Sequence, residues 1–172
     1  MSSLEVLITE EEIRTRVAEL GEQIKADYGE EPILLVGVLK GSYPFLADLT
    51  RHLDTNIEVD FVQTSSYGGH KSSSGIVQIR KDLDISIEGR HVLIVEDILD
   101  SGLTLMHLRE LLGTRKPLSL KVVTLLRKPE AARHGAHAEY VGFDIPDKFV
   151  VGYGLDYAER YRNLPYVAVL HQ

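Results

Sequence analysis

The run Val92-Leu93-Ile94-Val95-Glu96-Asp97-Ile98-Leu99-Asp100-Ser101-Gly102-Leu103-Thr104 constrains the fold of this chain more than any other stretch. Four β-formers lead into two adjacent carboxylates. A third carboxylate follows, and a Ser/Gly/Thr turn opens an apolar helical pattern. A short continuous apolar run bounded by turn residues reads as a strand buried on both faces, the situation of a parallel sheet covered by helices. In open α/β sheets ligands bind beyond the carboxyl ends of the strands, which is where Glu96 and Asp97 fall. Ser101, Gly102 and Thr104 bring backbone N–H and hydroxyl donors to a helix N-terminus, where unpaired N–H groups and the helix dipole both favour an anion. Taken singly, an acid after a strand is ordinarily a solvated loop residue or a cap. The specificity lies in the order. The segment has neither the Gly-Lys-Ser/Thr of a nucleotide-binding P-loop nor a G-x-G-x-x-G fingerprint.

The rest of the chain fits an alternation of strands and helices. Thr9-Glu10-Glu11-Glu12 matches the S/T-x-x-E capping box, and Ile13, Val17, Leu20 and Ile24 recur at helical spacing, which predicts a helix to about Asp27. Residues 33–38 form an apolar run ending at Leu39-Lys40-Gly41-Ser42, with a second helix expected from Pro44 to His52. Residues 57–62 alternate and read as a strand. The polar stretch of about residues 65–75, rich in Ser and Gly, reads as a mobile loop, and residues 76–79 return to strand character. A helix is expected near residues 103–112, and strands at 118–126, 140–143, 149–151 and 166–170. The expected fold is α/β, a twisted and mostly parallel sheet flanked by helices on both faces.

Composition limits the function classes. At 172 residues one domain spanning 1–172 is expected, long enough for a substantial core. A formal net charge of −7 disfavours nonspecific nucleic-acid binding. The absence of cysteine excludes disulfides, thiolate metal sites and a cysteine nucleophile. The seven histidines show no H-x-x-x-H spacing, so no histidine metal site is assigned. Residues 1–9 lack a basic region followed by an apolar core, and no apolar run approaches the roughly 20 residues of a membrane span, so a cytoplasmic protein with no membrane partner is expected.

Carboxylates beside a phosphate cradle suit a ligand with vicinal hydroxyls and a phosphate, such as a ribose 5-phosphate. Other residues admit two readings each. Lys40 and Gly41 form either a plain βα turn with lysine in water or a second anion site built on backbone N–H groups. Phe149 is either a core aromatic or a platform for a heteroaromatic base. Asp156 is either a helix N-cap or a carboxylate for Mg²⁺ held by pyrophosphate oxygens. Lys128 would be a surface lysine in most proteins.

Residues 92–104 resemble the 5-phosphoribosyl-1-pyrophosphate (PRPP) motif of the type I phosphoribosyltransferases. Together with 39–42, Ser66-Tyr67, 125–128 and 145–162 they resemble the bacterial-type 6-oxopurine (hypoxanthine and hypoxanthine-guanine) branch of that family, over residues 6–170. The segment Gly142-Phe143-Asp144-Ile145-Pro146-Asp147-Lys148-Phe149-Val150-Val151-Gly152-Tyr153 is similar to that branch's purine-binding hood.

The resemblance implies a small hood built from the N- and C-terminal segments, and a role for each site residue. Glu96 and Asp97 would engage the ribose hydroxyls and Mg²⁺. Asp100 would be the general base or acid at purine N7. Asp100, Ser101, Gly102, Leu103 and Thr104 would wrap the 5′-phosphate. Lys40, Gly41 and Arg162 would contact pyrophosphate, and Ser66 and Tyr67 would belong to a lid. Lys128 would donate to the purine 6-oxo group, Phe149 would stack on the base, and Val150 and Asp156 would present carbonyls to the ring edge. Asp156 would also hold a second Mg²⁺. Leu103 replaces the Lys of some members, leaving phosphate binding to the loop backbone. Ser42 replaces a smaller Gly or Ala. Members often have a cis peptide before the lysine, which a sequence does not report.

The implied partners are PRPP, a 6-oxopurine and Mg²⁺, with assembly as a homodimer or homotetramer. A PRPP-motif regulator that binds RNA, or a transferase for another base, would share residues 92–104. The acidic charge and the hood segment weigh against the first, and Lys128 weighs against adenine.

Overall fold

The structure is a computed structural model that describes residues 2–54, 56–66 and 77–172, with only the backbone of Ser66. In chain order the elements are β1 (Ser3–Ile8), α1 (Glu10–Tyr28), β2 (Ile33–Leu39), α2 (Tyr43–Thr50), β3 (Ile57–Ser66), β4 (Val77–Lys81), β5 (His91–Leu99), α3 (Leu103–Gly113), β6 (Ser119–Arg127), α4 (Pro129–Arg133), β7 (Tyr140–Asp144), β8 (Val150–Val151) and β9 (Val167–His171). The capping box at α1 is complete. Thr9 Oγ1 accepts from the Glu12 N–H at 3.1 Å, and Glu12 Oε1 accepts from the Thr9 N–H at 3.0 Å.

Six strands form one sheet in the order β4-β3-β2-β5-β6-β7, all parallel except the edge strand β4. Strand alternation sorts the core into two layers. Leu93 and Val95 of β5 face one layer with α1 and α2 (Ile13, Leu20, Phe45, Leu49). Val92 and Ile94 face the other, with Leu105, Leu108 and Leu112 of α3. Burying a side chain of this size contributes about 1.5–3 kcal/mol, so neither face can be left uncovered, and helices on both faces follow. A second, antiparallel sheet in the order β1-β9-β8 joins the two ends of the described chain.

The topology fixes where a site can form. The chain leaves β2 through α2 toward β3 on one side, and leaves β5 through α3 toward β6 on the other. Connections from neighbouring strands that diverge open a crevice beyond their carboxyl ends. Residues 40–42 and 96–104 flank that crevice. One expectation needs correcting. The strand expected over 92–95 does not end at the acids, because β5 continues to Leu99, with Glu96 opposite Thr124 and Leu99 opposite Arg127 in β6. Pairing to β2 does stop at Gly37 opposite Val95. Glu96 and Asp97 therefore remain strand residues with one side released toward the crevice. No helix among the described residues is long and apolar enough to cross a membrane.

Candidate functional site at the ends of β2 and β5

The phosphate-loop candidate follows β5. Gly102 is the N-cap of α3 with φ 81°, the left-handed region that glycine enters without strain, and a Cβ there would overlap Ala136. No side chain caps α3; Ser101 Oγ accepts weakly from the Leu103 N–H at 3.3 Å. The first turn of α3 thus opens on a cavity of about 210 Å³ bounded by Val38, Glu96, Asp100, Ser101, Gly102 and Thr104. A cavity of about 240 Å³ between α1 and α2 is lined by charges that pair with one another, Arg14 with Glu10 at 2.9 Å and Arg51 with Asp48 at 3.7 Å.

Glu96 is 7 % exposed, and no cation lies within salt-bridge distance of Glu96 or Asp97 among the described residues. Burial raises the Glu96 carboxyl well above its ordinary pKa, and the neighbouring Asp97 charge raises it further. Burial likewise raises Asp97, to about 6, against the opposing pull of its hydrogen bond from the Ile98 N–H (2.8 Å) and of the Arg162 charge. Such a pair is ready for a cation. Among the described residues no three carboxylates or histidines converge as a metal cage.

Across the crevice, the Leu39–Lys40 peptide is cis. A Cβ on Gly41 would overlap the Asp97 carboxylate, and a Cβ on Gly154 (φ 99°) would overlap the Gly41 carbonyl. Gly154 therefore meets Gly41 backbone to backbone, and the Asp97 carboxylate packs on Gly41, with no room for a Cβ at either glycine. Lys40 does not simply point to water; its Nζ donates to Glu159 Oε2 at 3.1 Å. Arg162 Nη1 donates to the Gly154 carbonyl at 2.7 Å, and Nη2 to Glu159 at 3.2 and 3.3 Å, with Asp156 Oδ1 at 3.5 Å. Asp156 is not a helix N-cap: its Oδ2 accepts from the Glu159 N–H within a turn, at 2.9 Å.

The base-binding candidates form a third wall. Lys128 is buried, 6 % exposed, not a surface lysine, and its backbone N–H is fixed on the Leu99 carbonyl at 2.9 Å. Its Nζ lies 3.3 Å from Asp100 Oδ2 and 3.7 Å from Asp147 Oδ1. Phe149 is no core aromatic; it is 51 % exposed and packed edge-to-face with Tyr157, ring centroids 5.7 Å apart. The Phe149 carbonyl accepts from the Leu170 N–H at 3.0 Å. In an antiparallel ladder the next residue, Val150, then turns its N–H and C=O away from β9, toward the free edge of the second sheet.

The structure thus brings together Glu96, Asp97, Asp100, Ser101, Gly102, Leu103 and Thr104 with Lys40 and Gly41, Arg162 and Asp156, and Lys128. Phe149 and Val150 stand on the segment that follows Asp147. Tyr67 and the loop beyond it lie outside the described residues, as does the Ser66 side chain. Two residues were not singled out in the sequence. Asp147 is a second carboxylate on Lys128, and Glu159 is the common partner of Lys40 and Arg162. Their only signal was proximity to Lys148-Phe149 and to Asp156.

Residues 7–158 match the phosphoribosyl transferase domain family model. The chain is 58% identical over 165 residues to the hypoxanthine-guanine phosphoribosyltransferase of Bacillus subtilis, covering 96% of this chain and 92% of that one. It is 53% identical to the enzyme of the same name from Streptococcus agalactiae, covering 97% and 93%. A crystal structure of a hypoxanthine-guanine phosphoribosyltransferase from Bacillus anthracis superposes with a TM-score of 0.93 at 45% identity, over 100% of both chains.

Proposed function

This chain belongs to the phosphoribosyl transferase family, and we propose that it transfers the 5-phosphoribosyl group of PRPP to N9 of hypoxanthine and guanine, forming IMP or GMP and pyrophosphate in purine salvage. The relatives and structures bearing that activity, alike along nearly their whole length, support the reading. The observation that carries it within the site is the meeting of an acid pair without a cation (Glu96 buried, Asp97 half-buried), an uncapped helix N-terminus and a cation pair at one crevice. These are the complements of a ribose diol with its metal, a 5′-phosphate and a pyrophosphate.

In this reading the C1′–O bond to pyrophosphate breaks as N9 closes on C1′, and the ribose passes through oxocarbenium character. Glu96 and Asp97 sit against the ribose hydroxyls and favour the cationic sugar. Asp100 takes the N7 proton as N9 attacks, and its neighbour Lys128 donates to the 6-oxo group. The 3.3 Å contact between them supports a concerted arrangement on one edge of the base. Phe149 stacks on the ring, and Val150 and Asp156 offer carbonyls to its edge. The backbone of residues 101–104 holds the 5′-phosphate, while Lys40, Gly41 and Arg162 hold pyrophosphate. Mg²⁺, for which Glu96, Asp97 and Asp156 are the proposed ligands, neutralises charge on the departing pyrophosphate when bound. Ser66 and Tyr67 act as a lid that excludes water. A cytoplasmic location, a single domain and a homodimer or homotetramer complete the proposal.

Steady-state assays of PRPP with hypoxanthine, guanine, xanthine and adenine test it. Turnover of hypoxanthine and guanine is expected, with adenine at least about 10²-fold poorer, because a donor facing C6 meets an amino group there. Comparable turnover of adenine, or none of hypoxanthine, would refute the reading.

A further inference from the structure

We infer that Glu159 is an internal counter-ion that occupies the pyrophosphate cations when that ligand is absent and speeds its release. The inference rests on the assignment of Lys40 and Arg162 to pyrophosphate. These two cations come from opposite sides of the crevice, one after β2 and one after β8, yet both donate to the same carboxylate, at 3.1 Å from Lys40 and 3.2 and 3.3 Å from Arg162. Glu159 is held for that task. Its backbone is left-handed, φ 69°, at the tip of a tight turn closed by reciprocal hydrogen bonds between Tyr157 and Arg160. Its N–H is fixed on Asp156 Oδ2 at 2.9 Å. Lys40 first, then Arg162, holds the Glu159 carboxyl below the usual carboxylate range, so it is an anion at neutral pH. A carboxylate bridging two cations gives them charge-assisted hydrogen bonds to anionic oxygen, the kind of contact that a pyrophosphate oxygen would make.

Pyrophosphate must therefore displace Glu159, breaking its charge-assisted hydrogen bonds and leaving a negative charge beside the bound anion. As pyrophosphate leaves, Glu159 re-pairs Lys40 and Arg162, so neither cation is stripped bare. Glu159 acts through those two residues and touches no reacting atom; it is a positioning residue. The Lys40 and Glu159 side chains are 54% and 63% accessible and Arg162 is 17% accessible, so Glu159 competes from the exposed side of the cluster and its effect is modest and screened by salt.

Isothermal titration of magnesium pyrophosphate into the full chain tests this, with IMP titrated separately. Glu159→Gln is expected to bind magnesium pyrophosphate about 3–10-fold more tightly at low salt. The gain should shrink as salt is raised, and IMP affinity should stay within about twofold. In steady state, kcat should fall together with KM for PRPP, the pattern of slowed product release and not of damaged chemistry. Glu159→Ser serves as a second variant and must move in the same direction. Lys40→Ala and Arg162→Ala should each weaken magnesium pyrophosphate. If they do so while both Glu159 variants bind it unchanged or more weakly, the counter-ion role is overturned and the pyrophosphate assignment stands. If Lys40→Ala and Arg162→Ala leave its affinity unchanged, that assignment fails and the counter-ion role fails with it.

Discussion

At the end of β5, Glu96 is buried and Asp97 half-buried, with no cation in salt-bridge distance among the described residues and both carboxyls raised in pKa by desolvation. On the loop after β8, Asp156 and Glu159 are more exposed, and both are engaged by Arg162, with Lys40 also on Glu159. The two clusters face the same crevice but carry opposite deficits. The first lacks positive charge. The second has its positive charge already matched. A ligand that is both metal-bound and polyanionic satisfies each, supplying a cation to the buried acids and replacing the internal acids on Lys40 and Arg162. In the proposed reading, residues of one type serve opposite ends of the substrate because their burial and partners differ.

The largest expected effect breaks the contrast at Asp100, the acid that is neither deeply buried nor matched within the loop. Asp100→Asn should lower kcat about 10²–10⁴-fold by removing the proton acceptor at N7, with KM for PRPP moving much less. A kcat within a few-fold of the unaltered enzyme would place the base elsewhere.

Lys128 reverses the situation of Glu96, being a buried cation flanked by two acids. Lys128→Ala should reduce kcat/KM for hypoxanthine by about 10–150-fold, the equivalent of roughly 1.5–3 kcal/mol for a charged hydrogen bond. The margin over adenine should narrow as well. Unchanged base preference would exclude Lys128 as the reader of C6.

The close backbone approach that joins the two loops can be tested at Gly154. Its φ of 99° and the overlap a Cβ would make with the Gly41 carbonyl predict that Gly154→Ala pushes the two loops apart. KM for PRPP should rise about tenfold, corresponding to about 1.4 kcal/mol of lost binding, and the melting temperature should fall. An alanine variant with native KM would mean the loops need no close approach.

The smallest effect concerns pH. Because the folded pKa of Asp97 is raised to about 6, its contribution favours the fold below the unfolded value near 4 and is lost as pH rises through about 6. Ligand-free Asp97→Asn should therefore gain melting temperature over the unaltered protein between about pH 5 and 7, with the difference vanishing near pH 4. Scanning fluorimetry across that range measures it. A difference that grows toward acid would reverse the sign and show Asp97 to be stabilised as an anion.

Much of the molecule was written locally. The capping box of α1, the apolar runs of β2 and β5, and the order acid, acid, acid, Ser-Gly-x-Thr could each be read because their signals span a few residues and depend on nearby backbone geometry. What the sequence left open were choices made by distant partners. Phe149 and Asp156 each had two readings until the fold left one half exposed and placed the other in a turn instead of a helix. The continuation of β5 through Glu96 to Leu99 depends on pairing with β6, since a strand persists only while its backbone groups find partners. The link from Lys40 to Glu159 joins residues 119 positions apart, and that from Lys128 to Asp100 joins residues 28 apart. No local pattern encodes such pairs, because charge partners are chosen by distance and burial after the chain has closed on itself. The sequence alone determined which chemical groups the crevice contains; tertiary structure decided which carboxylates are buried without cations and which are matched, because that follows from the dielectric and the neighbours each group acquires on folding.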